Sequence, residues 1–189
     1  MGAGGAVNLI NAYGTAGEIA EAHALWERLT ALADAHAGEP VLRKAQAMGA
    51  VNLIDAYGIA GEIAEARDLW DRLVELAEAN ADEGALRVEQ AKGAFNLISY
   101  YARAGAIAEA RTLWERLTVL AEAHADEPAL RERQAKGAVN LLSFAHLNGD
   151  QDTLDSVGKA IEADAALGAA VEALLEQWSA AAGQAESGS

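Results

Sequence analysis

Cysteine is absent from this chain. Disulfides and thiolate metal sites are therefore excluded, and a reducing, cytoplasmic setting is the expectation. Only 2 of the 189 residues are proline and only 5% are aromatic. Few helix breakers and few strand formers, beside 52% hydrophobic residues that are mostly Ala and Leu, favour helix over sheet. No run approaches the roughly 18 uninterrupted apolar residues of a membrane span. No basic head followed by an apolar core opens the chain, so no signal peptide is expected. Basic residues are the last scarcity: 14 Lys and Arg stand against 29 Asp and Glu, a formal net charge of −15. Such a field repels phosphate backbones and anionic lipid heads. The expectation is no nucleic-acid partner and no membrane partner. A basic partner fits the charge, and so does plain solubility.

What is present is a repeat. Gly5-Ala6-Val7-Asn8-Leu9-Ile10 returns as Gly49–Ile54, as Gly93–Ile98 with Phe95 for Val, and as Gly137–Leu142. Each step is 44 residues, which marks a repeat array rather than one globular core. Within the second period, Leu42, Ala45, Gly49, Leu53, Ala56 and Tyr57 recur at spacings of three and four, one face of a helix opened by Glu39-Pro40. Gly61 closes a short turn. Ile63, Ala66, Leu69, Trp70, Leu73, Leu76 and Ala77 then mark a second helix running to about Asn80. Each period is thus two antiparallel helices. The expected organisation is all-α: four tandem hairpins over 1–165, a capping helix over 166–183 with Leu167, Val171, Leu174, Leu175 and Trp178 on one stripe, and a disordered tail over 184–189. The first hairpin lacks the opening half of its first helix. Its flank is expected to be apolar and open to homodimer formation. Glu39/Arg43, Glu83/Arg87 and Glu127/Arg131 stand four apart and are expected to pair within their helices.

Leu9, Tyr13, Gly17, Ala22, Trp26 and Leu29 recur in order as Leu53, Tyr57, Gly61, Ala66, Trp70 and Leu73, and again as Leu97, Tyr101, Gly105, Ala110, Trp114 and Leu117. This order resembles the tetratricopeptide repeat, in an extended form similar to the kinesin light chain type. The resemblance implies an α-solenoid, a tetratricopeptide-like superhelix whose first helices line a concave groove that binds an extended peptide or partner segment of a larger protein. A HEAT or armadillo array is the alternative on length. A self-associating structural array, or an engineered scaffold without a natural ligand, is the alternative on function.

The Trp series reads as core. Gly49, Gly93 and Gly137 fall mid-helix, where Gly costs about 1 kcal/mol against Ala, and close helix approach is the expected compensation. The partner-binding candidates are Asn8, Asn52, Asn96 and Asn140, one per first helix. A side-chain amide both donates and accepts, so it can hold the backbone of an extended peptide. It can equally bond a neighbouring helix and fix the packing. Lys92 and Lys136 stand four residues before the last two Asn, and Ser99 and Ser143 three after. Lys beside Asn suits an acidic side chain or a terminal carboxylate; two solvated lysines are the plainer alternative. His36 and His124 recur at a helix end, with Asn80 between, which suits a helix dipole. No metal-ligand spacing, nucleophile elbow or phosphate loop occurs, so neither enzyme activity nor a cofactor is expected.

Overall fold

The computed structural model describes the backbone of residues 2–187 and the side chains of residues 2–178. Its elements are α1 (Ala3–Ala16), α2 (Ile19–Ala35), α3 (Pro40–Ala60), α4 (Ile63–Ala79), α5 (Gly84–Arg103), α6 (Ile107–Ala123), α7 (Pro128–Asn148), α8 (Gln151–Ala163) and α9 (Ala165–Ser187). No strand occurs among the described residues. The fold is an all-α repeat of helical hairpins, of the solenoid class. The expected tail over 184–189 falls partly within the bounds of α9 and partly on 188 and 189, outside the described residues.

The turns explain the period. Gly17, Gly61, Gly105 and Gly149 all take a left-handed backbone, with φ of 80°, 81°, 78° and 69°. Glycine adopts it without steric cost. Around Gly61, its N–H donates to the Gly58 carbonyl at 3.2 Å and that of Glu62 to Tyr57 at 2.9 Å. This double bond closes the last carbonyls of the first helix and starts the second two residues later. His36, Asn80 and His124 end α2, α4 and α6 with similar backbone angles. Pro40 and Pro128 then start α3 and α7 at a position where a missing N–H is harmless.

The chain divides into two compact units, Met1–Tyr100 and Tyr101–Ser189. In the first, α1 packs on α2 and α3, and α3 on α2 and α4. In the second, α7 packs on α6, α8 and α9. Fully buried Ala22, Ala66 and Ala110 occupy one position of successive second helices. The Trp series is core: Trp26, Trp70 and Trp114 are each 2% exposed. Each indole N–H donates to the carbonyl 20 residues on, at 2.9 Å to Gln46, 3.1 Å to Gln90 and 3.0 Å to Gln134. Mid-helix glycine makes room for this contact. A Cβ at Gly49 would lie 2.8 Å from Trp26 Cδ1, and one at Gly93 2.9 Å from Trp70 Cδ1.

Two expectations change. Arg43 does not pair with Glu39. It reaches the next turn, where its Nε lies 2.8 Å from Glu83 Oε1, and it also donates to the Ala37 carbonyl. Arg131 likewise bonds Asp164 at 2.5 Å rather than Glu127. A pair joining two turns covers more of both side chains than a pair along one exposed helix face. The α9 stripe is also narrower than expected. Leu167, Val171 and Leu174 are buried, whereas Leu175 is 49% and Trp178 47% exposed; Leu175, one residue on from Leu174, is turned about 100° around the axis.

Candidate functional site

The expected site residues lie on first helices, divided between the units. In the first unit Asn8 is exposed and Asn52 and Asn96 are half-buried. Asn52 Nδ2 lies 3.4 Å from the Val7 carbonyl, beyond the usual hydrogen-bond range. Its amide therefore leans on the neighbouring helix without spending its full capacity. In the second unit Asn140 is half-buried. Ser99 is buried and Ser143 exposed, and each hydroxyl donates to the carbonyl four residues back on its own helix, at 3.0 Å to Phe95 and 2.8 Å to Val139. The lysines are occupied as well. Lys92 Nζ lies 2.7 Å from Glu89 Oε1, whose side chain is 6% exposed, and Lys136 pairs with Glu132. The acid expected from a ligand at these lysines is supplied by their own helices. The Lys136 hydrogen bond holds the Glu132 carboxyl below its ordinary range.

Two grooves open beside first helices. In the first unit a groove of about 250 Å³ between α1 and α3 is lined by Asn8, Lys44, Met48, Val7 and Val41. Lys44 is exposed and, among the described residues, enters no ion pair. The sequence reading missed it, although Lys44, Met48 and Asn52 share the four-residue spacing that links Lys92 to Asn96. In the second unit a cleft of about 690 Å³ lies between α7 and α9. Arg131, Glu132, Lys136 and Gln177 supply its polar rim, and Ala166, Ala170 and Leu174 its apolar wall.

Charge is sorted by helix type. The first helices α1, α3, α5 and α7 carry eight Lys and Arg against three Asp and Glu. The second helices α2, α4, α6 and α8 carry six against fourteen. The second helices use part of that charge for packing. Arg72 Nη1 lies 2.7 Å from Glu27 Oε1, and its guanidinium stacks 4.2 Å over the Trp26 ring. The Arg72 hydrogen bond keeps the Glu27 carboxyl below its ordinary range, against a partial opposing effect of burial. His23 joins this cluster, with Nδ1 2.8 Å from the Tyr57 hydroxyl. Burial and the nearby Glu62 and Glu65 raise the Tyr57 phenol. Among the described residues no group of three His, Cys, Asp or Glu is placed to hold a metal ion, and no helix is long and apolar enough to cross a membrane.

The PPR (pentatricopeptide) repeat matches the chain over residues 7–32 and 51–76. No curated protein and no solved structure matches it. The matched spans are 44 residues apart, and each runs from a Val-Asn-Leu-Ile block through the turn glycine into the second helix, ending one residue before its last buried alanine, Ala33 or Ala77. They contain two of the three sets of residues that carried the resemblance to tetratricopeptide repeats, and that resemblance is corrected. A small residue at the helix crossing, an aromatic four later and a turn glycine are what any tight helical hairpin needs. They identify the hairpin and not its family. The peptide-binding groove inferred from that resemblance falls with it. So does the exclusion of a nucleic-acid partner, because pentatricopeptide repeats read single-stranded RNA, one base per helical repeat. Over these two hairpins the chain is similar to the pentatricopeptide repeat.

Proposed function

We propose that the chain binds single-stranded RNA through its first helices, about one nucleotide per hairpin. The pentatricopeptide match over two successive hairpins carries this reading. Three features support it. One asparagine recurs on each first helix at the 44-residue period, and a side-chain amide presents the paired donor and acceptor that a base edge requires. The first helices hold the surplus of positive charge, so the net charge of −15 does not describe the face a phosphate would meet. Lys44 stands unpaired in the groove that contains Asn8.

The test is fluorescence anisotropy with labelled ten-nucleotide RNAs of each single base, at 50 and 200 mM salt. Binding should weaken as salt rises, with a log–log slope of about −0.7 per phosphate contacted. Lys44→Ala should weaken all four RNAs alike and flatten that slope by about 0.7. Asn52→Ala/Asn96→Ala should instead change the ranking among bases. Absence of binding to every RNA at 50 mM salt would sink the proposal.

A further inference from the structure

The first unit contains a second pocket, away from the first-helix grooves. It measures about 210 Å³ and is enclosed by α2, α3 and α4. Gln46 lines it and is only 8% exposed. Among the described residues its Oε1 has no hydrogen-bond partner, and neither has the buried Oγ1 of Thr30, a residue that lines the same pocket. The second unit shows what these positions do when they are satisfied. Gln134 and Thr118, two periods on, bond each other at 3.1 Å, and Arg131 Nη1 donates to Gln134 Oε1 at 2.7 Å. In the first unit the corresponding arginine, Arg43, is drawn away to Glu83 and the Ala37 carbonyl. Gln46 Oε1 is left buried without the guanidinium that bonds its counterpart.

The remaining walls define the chemistry that fits. Asp34 and Glu75 line the pocket and enter none of the ion pairs of this unit. Arg72, the cation lining it, is already held by Glu27 and stacked on Trp26. The lining thus offers a carbonyl oxygen and a hydroxyl that are buried and unbonded, and two exposed carboxylates. A group with donors only and a positive charge satisfies them, which describes a primary ammonium. An anion is excluded by the two carboxylates. A hard metal ion needs several oxygens converged to about 2.3–2.6 Å, and among the described residues no three His, Cys, Asp or Glu side chains are so placed. Apolar atoms of Leu73, Leu76 and Trp26 complete the lining and suit methylene groups.

We propose that this pocket binds the ammonium group of a small alkyl amine, independently of any nucleic acid on the first helices. The experiment is calorimetric titration of the full chain with 1,4-diaminobutane at 150 mM salt, where diffuse attraction to an acidic protein is screened. One saturable site is expected. Gln46→Leu, which changes no charge, and Thr30→Val should each weaken it at least tenfold, while circular dichroism confirms the fold. Asp34→Asn/Glu75→Gln should abolish it, whereas Glu78→Gln/Glu122→Gln, the same change of charge elsewhere, should leave it unchanged. Equal affinity in Gln46→Leu and Thr30→Val, a loss equal for both charge pairs, or displacement of the amine by calcium chloride alone would each overturn the proposal.

Discussion

The smallest feature with a large effect is the glycine that faces Trp26 and, one period on, Trp70. Gly93→Ala gains up to about 1 kcal/mol of helix propensity. Its Cβ, however, would stand 2.9 Å from Trp70 Cδ1 and 3.1 Å from Ile54 Cδ1. Overpacking of a tight core costs about 1–3 kcal/mol, so the clash should win and the urea midpoint should fall. Gly4→Ala, with nothing within 4 Å of the new Cβ, should hold or raise it. Equal midpoints for the two variants would refute the close-approach account. Here the sequence was readable: an unfavourable residue repeated at 44-residue steps announces a contact, and the aromatic of the preceding helix was the right size to make it. The asparagines were less readable. Asn is a mediocre helix former wherever it serves, and Asn52 both leans on Val7 and keeps amide capacity free, so packing and binding leave the same trace in the chain.

At the scale of the element, helices are joined by charges that reach the next turn. Local spacing suggested pairs four residues apart, but Arg43 meets Glu83 forty residues away, with both side chains mostly covered, 14% and 16% exposed. No spacing rule finds such a contact, because it exists only after the hairpins have stacked. A double-mutant cycle of Arg43→Met and Glu83→Gln should give a coupling above the 0.2–1 kcal/mol usual for exposed pairs; coupling near zero would return the pair to the surface class. Asp164 joins elements differently. Its Oδ1 accepts from the N–H groups of Ala166 and Leu167 at 3.0 and 3.1 Å, opening α9, while Oδ2 pairs with Arg131. The Leu167 N–H leads the effects that hold its carboxyl below the ordinary range. A carboxyl lowered in the folded state stabilises above its unfolded pKa of about 3.9 and loses that contribution as pH falls through the folded value. Stability should therefore decline below about pH 4. Asp164→Ala should lose about 1 kcal/mol at pH 7 and show a shallower acid decline. An unchanged acid limb in the variant would show that the cap is not a source of the pH dependence.

Over the whole molecule, charge misleads when it is summed and informs when it is placed. The excess of 29 acidic over 14 basic residues argued against phosphate until the helices were separated. Fourteen of the acids then proved to lie on the second helices and only three on the first. Fold class, period and turns were legible because each is fixed by residues close together in the chain. Which family the hairpins resemble was not, since the positions first used to decide it serve hairpin packing in general. Substituting three acids of the second helices, Glu21→Gln/Glu65→Gln/Glu109→Gln, should leave RNA affinity within about twofold, since exposed charges more than about 8 Å apart are screened at 0.15 M salt; a large gain would mean that the summed field, and not the placed charge, governs binding.

The tryptophan bond has a further consequence for how such a chain can change length. Each indole reaches a carbonyl 20 residues ahead, beside a glycine 23 residues ahead for Trp26 and Trp70. None of the first three hairpins is complete until its successor has begun. Excising residues 49–92 would join Met48 to Gly93 and hand Trp26 an equivalent glycine in the same register, so the shortened chain should still melt cooperatively, whereas a deletion of 34 residues from the same point should not. The array can be edited only in whole periods, and 44 residues is the smallest word this protein can gain or lose.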